Sequence, residues 1–397
     1  MIIDKNKSYP CFCVSNYDVI KSLLLFVKKN KLPLIIESTS SQVNQFGGYT
    51  NKTPKQFKHM INTLCKKVNY PINQIIIGGD HLGQFPWRKM KINIANQNAA
   101  KLVEACVDAG YKKIHIDTSY KLLDDSKFGK KKVLNRSYKL IKLLKKKNIF
   151  PIFGTEVPFP GSKVQKKLQI TSIKDLDYEI GFYFKSLKKE NLNETFACVV
   201  EPGMYFENQK IVKPKINFLK KLKNYNEGKN FFYEAHSCDY QNFKTLTSLV
   251  KNNFKFLKVG PELTYFYSRA ILKMENLEKK LCSNFSKISD VILRNMKNDN
   301  SHWVEYYKGS EAYKNNLLLN SKLDRVRYYW KIEDVIKSVN FLKKNINQIN
   351  KNVLYNHFKI NRSFIKKFSK LDNFQLIILF FLEKTFIKFY KSCGFKF

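Results

Sequence analysis

The segment Ile75 to Trp87, IIIGGDHLGQFPW, holds the residues best suited to chemistry. A β-branched apolar run stops at paired glycines and delivers Asp80 and His81 side by side, where a strand should end. A strand end is a rigid platform, and barrel enzymes present acids and metal ligands from that pole. The carboxylate is suited to moving a proton and the imidazole to holding a metal, while Gly78 and Gly79 permit close approach of backbone or ligand. An isolated Asp-His pair also arises as a hydrogen-bonded turn, so the remaining strand ends decide between the two.

Those ends carry the same chemistry. Glu37 leads into Ser38, Thr39 and Ser40; His115, Asp117 and Ser119 share a face by the period of two; then come Thr155 and Glu156, Glu201, Glu234 and His236, and last Lys258 and Gly260. Such groups are costly to desolvate, and a purely structural barrel has little reason to gather them. His81 and His236 are the candidate ligands of a divalent metal, zinc first, with Glu156 as the third. Asp80, Glu234 and Glu37 are the candidate acid-base groups. The structural alternative is two buried histidines bonded to backbone carbonyls; taken singly, His115 reads as a core histidine and Asp117 as a cap. Two loops suit phosphate: FGGYT, with Gly47 and Gly48, and VGPELT, where Gly260 and Thr264 follow Lys258 and open a helix.

Elements able to position these groups alternate along the first part of the chain. Strand candidates are Cys11 to Ser15, Leu34 to Ser38, Gln74 to Asp80, Lys113 to Ser119, Phe150 to Val157, Ala197 to Glu201, Phe231 to His236 and Phe254 to Gly260. Helical stretches such as Tyr17 to Lys29, Pro54 to Lys67, Asn96 to Ala109 and Leu263 to Leu281 separate or follow them. This pattern predicts an α/β fold, a (β/α)8 TIM barrel over 1–282, with an open doubly wound sheet as the alternative. Strand signals cease after Ser283, and the apolar and basic alternation in Ile332 to Ile346 and Phe374 to Tyr390 predicts a helical C-terminal extension, 283–397, packed on the barrel.

With 397 residues the chain can bury a sizeable core, which excludes a single small module. Its formal charge of +40 raises the question of a polyanionic partner. The lysines are spread through the chain among many Asn, Ile, Phe and Tyr, and no Arg-rich or Gly-interleaved segment accompanies short runs such as Lys130 to Lys132, so neither nucleic acid nor membrane is expected as partner. Eight scattered cysteines without CxxC pairs suit reduced thiols, and the N-terminus lacks a signal-peptide core; the expectation is a cytoplasmic, soluble protein, with a homo-oligomer possible.

The blocks ESTSSQVNQFGGYT (37–50), IIGGDHLGQFPW (76–87), KIHIDTS (113–119), GTEVPFPG (154–161), YEAHSCDYQ (233–241), LKVGPELT (257–264) and DRVRYYW (324–330) together resemble the non-catalytic Z subunit family of class II D-tagatose-1,6-bisphosphate aldolases, nearly end to end. The resemblance implies a barrel working in galactitol, tagatose or amino-galactose catabolism, where it supports the activity and stability of a separate catalytic class II aldolase subunit. It also implies an alternative, a stand-alone metal-dependent ketose-phosphate 4-epimerase or lyase. Asp80-His81 looks like the aldolase pair for proton transfer and zinc binding, and His236 stands where a later strand would bring another ligand. Two departures fall on the presumed active-site side: Asn16 replaces the histidine of a Ser-Ala-His-Pro segment, and Tyr120, Lys121 and Leu122 replace a Met-Ser-Cys type sequence ahead of a lysine-rich loop at Asp124 to Lys132.

Overall fold

Strands rich in Ile, Val and Phe, alternating with helices, close on themselves in the computed structural model, which describes residues 3–126, 128–146, 148–154 and 170–397. The strands are β1 (Tyr9–Cys13), β2 (Leu34–Thr39), β3 (Ile75–Leu82), β4 (Lys113–Ile116), β5 (Phe150–Phe153), β6 (Phe196–Val199), β7 (Tyr205–Phe206), β8 (Ile211–Val212), β9 (Phe231–Ala235) and β10 (Phe254–Val259). All but β7 and β8 pair in parallel as a closed barrel, in the order β1-β2-β3-β4-β5-β6-β9-β10. The closed barrel is therefore the fold, and the open-sheet alternative is excluded. The antiparallel pair β7-β8 lies in the connection after β6 and carried no strand signal.

The crossover helices are α1 (Tyr17–Asn30), α2 (Pro54–Val68), α3 (Ile92–Asp108), α4 (Lys130–Ile141), α5 (Ile173–Lys189), α6 (Ile216–Asn226), α7 (Phe243–Lys251) and α8 (Pro261–Leu281). Their starts follow local chemistry. Asn16 accepts from the amides of Asp18 and Val19, and Thr53 and Gln56 form a capping box ahead of Pro54. Asn16 is thus occupied as a helix cap.

Helices α9 (Ile288–Asn298), α10 (Glu311–Asn320), α11 (Glu333–Gln348), α12 (Lys351–Phe358), α13 (Arg362–Lys367) and α14 (Asn373–Ser392) follow. The basic and apolar alternation suggests an amphipathic α14, yet the helix is buried on most sides. It packs against α1, α7 and α8 and reaches β1, where Phe386 meets the edge of Phe12 at 5.8 Å and Tyr390 donates to the Pro33 carbonyl at 2.7 Å. No helix among the described residues is long and apolar enough to cross a membrane.

Inside the barrel the period of two stacks side chains in layers. The floor is apolar: Tyr9, Ile35, Ile76, Ile152, Ala197 and Phe256 are all buried there. One step towards the strand ends stand Cys11, Glu37, Lys113 and Glu234, and above them Cys13, Asp80, His115, His236 and Lys258.

Candidate metal centre

Strict alternation would turn one of Asp80 and His81 out of the barrel. The chain avoids this with a distortion: the β3-β4 register shifts between Gly79 and Leu82, and His81 takes a left-handed φ of 49°. Its ring therefore turns inward, with Nε2 3.7 Å from Asp80 Oδ1. Strand β3 consequently runs past Asp80, where the alternation pattern ends it. Gly83 is needed just beyond, since a Cβ there would lie 1.7 Å from the Asp117 carbonyl oxygen.

Three imidazoles converge at this point. The His81 and His115 rings lie 4.8 Å apart, His81 and His236 5.0 Å, and His115 and His236 5.1 Å. With Asp80 they offer four buried ligand atoms within 4.8 Å of one another. His81 Nδ1–H donates to Asp117 Oδ2 at 2.8 Å, which leaves its lone pair on Nε2. His236 Nε2–H donates to Glu234 Oε1 at 2.8 Å, which leaves the lone pair on Nδ1. His115 Nε2–H donates to the Gly154 carbonyl at 3.1 Å, so its Nδ1 lone pair faces Asp80 Oδ1 at 3.0 Å. That lone pair also accepts from the His81 amide at 3.3 Å, and a cation beside the two acceptors would make their contact favourable.

Beneath this group lies a salt-bridged layer. Lys113 Nζ binds Glu37 Oε1 and lies 2.5 Å from Glu234 Oε2. Lys258 Nζ contacts Asp80, Glu234 Oε1 at 2.9 Å and Glu37 Oε2 at 3.3 Å. Burial would raise the Asp80 and Glu234 carboxyls, but their neighbours outweigh it and hold both well below the usual carboxylate range: the His81 ring and the Lys258 ammonium for Asp80, Lys113 and Lys258 for Glu234. Burial lowers His115, which favours the neutral, ligating imidazole. Among the described residues four buried carboxylates, Glu37, Asp80, Asp117 and Glu234, thus face two ammonium groups, Lys113 and Lys258. The deficit of two positive charges matches one divalent cation, and neutral imidazoles on rigid strands are suitable ligands for it.

The structure thus brings together Asp80, His81, His236, Glu37, Glu234 and Lys258. Glu156 lies outside the described residues. Reading His115 singly as a core histidine and Asp117 as a cap missed their positions: His115 is a third imidazole of the cluster, and Asp117 orients His81, besides accepting from Ser119. The period-two face of KIHIDTS was the signal for both. Lys258 is engaged by three carboxylates rather than directed at a phosphate. Gly47 and Gly48 donate their amides within their own loop, to the Asn44 carbonyl at 2.9 Å and Asn44 Oδ1 at 3.1 Å. The Gly260 amide, with that of Glu262, donates to Asp239 Oδ1, at 3.0 and 2.7 Å. A side-chain carboxylate therefore already occupies the start of α8, and Thr264 donates to the Pro261 carbonyl at 3.3 Å.

Comparison with known proteins locates the chain among barrel proteins of sugar metabolism. It is 32% identical over 353 residues to the D-tagatose-1,6-bisphosphate aldolase subunit GatZ of Salmonella dublin, covering 85% of this chain and 84% of that protein. It is 33% identical over 354 residues to the subunit of the same name from Escherichia coli O6:H1, covering 84% and 83%. A crystal structure described as a probable tagatose 6 phosphate kinase from Sinorhizobium meliloti 1021 superposes over 98% of this chain and 100% of its own, with a TM-score of 0.87 at 24% identity, a likeness of fold. Residues 3–393 match the family described as D-tagatose-1,6-bisphosphate aldolase subunit GatZ/KbaZ-like, and the chain belongs to that family.

Proposed function

We propose that this chain is the accessory, Z-type subunit of a class II D-tagatose-1,6-bisphosphate aldolase and supports the activity and stability of a catalytic partner subunit. The observation that carries this reading is family membership over residues 3–393, with relatives named as aldolase subunits along more than four fifths of their length. The test is to purify the catalytic class II aldolase subunit with and without this chain and to follow its aldolase activity on warming. Co-elution and a longer half-life are expected. A catalytic subunit equally durable alone, with no complex by gel filtration, would refute the reading.

The charge deficit at the strand ends favours a second reading, that the chain also handles a ketose phosphate itself, as a metal-dependent 4-epimerase or lyase. His81, His115 and His236 would hold a divalent metal, zinc being the best match to three imidazoles with an open fourth position. When bound, that metal would polarise a carbonyl or hydroxyl oxygen of the sugar. The chain's own part is positional and protonic. Asp117 and Glu234 fix the tautomers of His81 and His236, and Lys258 keeps Asp80 ionised, so that Asp80 can take up a proton and return it. Burial of all these groups excludes water from the exchange. Metal analysis of the purified chain, with NMR of tagatose and fructose phosphates incubated with it, tests this. Stoichiometric metal and turnover abolished by EDTA and by His81→Ala are expected; an inactive, metal-free chain sinks the second reading and leaves the first standing.

A further inference from the structure

The DRVRYYW segment lies in the helical extension, between α10 and α11, far in sequence from the strands that carry the histidines. It closes one wall of a cavity of about 470 Å³ at the mouth of the barrel. Across from Arg327 and Lys331 stand Gln42, Tyr49 and Lys52 from the loop after β2, and Thr264 of α8. The volume falls in the usual range for a small-molecule site.

The electrostatics of this cavity are one-sided. Among the described residues Lys52, Arg327 and Lys331 have no carboxylate within ion-pair distance, although Lys52 and Arg327 are only partly exposed. One carboxylate lines the space, Asp18, and burial raises its pKa. Arg327 is held in place: its Nη1 donates to the Asp324 carbonyl at 2.9 Å and its Nη2 to the Tyr328 hydroxyl at 3.2 Å. Arg325 Nη1 donates to the same hydroxyl at 3.3 Å, and Tyr328 stacks on His302 at 4.5 Å. A guanidinium positioned this way, with the Asp324 carboxylate acting on it from beyond ion-pair distance, suits a planar or tetrahedral oxyanion.

One residue joins this cavity to the metal centre. Gln42 lines the cavity, and its Oε1 accepts from the Thr39 amide at 2.8 Å and lies 3.8 Å from Cys13 Sγ, which in turn lies 3.5 Å from Asp80 Oδ2. We propose that the cavity is the phosphate subsite for the ketose phosphate, with Arg327, Lys52 and Lys331 gripping the phosphate and the sugar directed past Gln42 towards Asp80. The helical extension thereby supplies substrate-binding groups to the barrel. The proposal rests on the second reading above for its substrate, but its test is separate.

Titration calorimetry of the full chain with inorganic phosphate, tagatose 6-phosphate and unphosphorylated tagatose reads the subsite directly. Both phosphates should bind and tagatose at least tenfold more weakly than its phosphate. Arg327→Met should weaken both phosphates tenfold or more with metal content unchanged. Lys52→Met carries the same prediction at several-fold, and among the described residues its ammonium hydrogen-bonds one group, the Thr50 carbonyl at 3.4 Å, so its removal should leave the fold intact. His81→Ala should lose metal but retain phosphate binding. Equal phosphate affinity in the wild type and both cavity variants overturns the proposal, as does loss of phosphate binding in His81→Ala alone. Phosphate binding that depends on Arg327 in a chain without turnover would refute the catalytic reading and leave the subsite in place.

Discussion

Two ionic layers are stacked in the same barrel, and they differ in whether their charges are balanced. In the lower layer Lys113 lies between Glu37 and Glu234, and Lys258 reaches both, so two ammonium groups neutralise two carboxylates with no ligand required. In the upper layer Asp80 shares Lys258 with the layer below, Asp117 accepts from an imidazole and a serine, and the Nδ1 lone pair of His115, which accepts from the His81 amide, also meets a carboxylate oxygen. Burying a charge without its counter-ion is among the costliest arrangements in a protein interior. The lower layer accordingly reads as scaffold, and the upper one as a socket suited to a divalent cation.

The widest separation between the layers should come from Lys113→Met. The substitution leaves Glu37 and Glu234 buried around an apolar side chain, and breaking a buried pair from one side costs about 3–5 kcal/mol. Denaturant unfolding should show that loss both in metal-loaded protein and after EDTA, because the lower layer needs no metal. A loss confined to the metal-loaded protein would mean that the two layers are a single unit.

Asp117→Asn probes the upper layer without touching a ligand. The amide keeps the size of the side chain but removes the charge that orients and polarises His81, and such substitutions cost about 10–100-fold in metal affinity. Competition with a chromophoric chelator measures this, and thermal unfolding of the metal-free variant should stay close to the parent. An unchanged affinity would return Asp117 to the capping role suggested by its position in the sequence.

Much of this arrangement was legible in the sequence, and what was not has identifiable physical reasons. The eight barrel strands followed from eight apolar runs, which left a closed barrel and an open sheet both standing until the pairing of β1 with β10 closed the ring, and the polar strand ends marked the right pole of the barrel. The partners of individual residues did not follow. His81 joins Asp117 across 36 positions, and Lys258 joins Asp80 across 178, contacts that only the closed sheet creates. The inward turn of His81 depends on a left-handed residue and a register shift, against the period of two that otherwise sorts strand residues by face. Glycine-rich loops looked like phosphate cradles by composition, but their amides are spent on Asn44 and on Asp239. The cations that line the cavity came instead from a loop lysine and from the extension, where periodicity indicates helix and is silent about ligands.

Asp239 supplies the finest comparison, because it is a buried carboxylate that faces neither a layer of ammonium groups nor a metal socket. It accepts from the amides of Gly260 and Glu262 at the start of α8. Burial is the dominant influence and pushes its pKa up to about 7 against an ordinary 3.8, with the neighbouring Glu262 adding to the rise and the two amides opposing it. A carboxyl raised on folding favours the protonated native state, so its contribution to stability is fully present below pH of about 4 and is lost as pH climbs towards about 7. Asp239→Asn keeps an oxygen to accept both amides and has no proton to lose. Across that window the variant should therefore gain on the parent with rising pH, and the difference should level off above it, as melting temperatures at stepped pH would show. If the two proteins tracked one another throughout, the amides at the start of α8 would be compensating this carboxylate as fully as Lys113 compensates Glu37 and Glu234, and dipoles would be as effective as an ammonium group in this barrel.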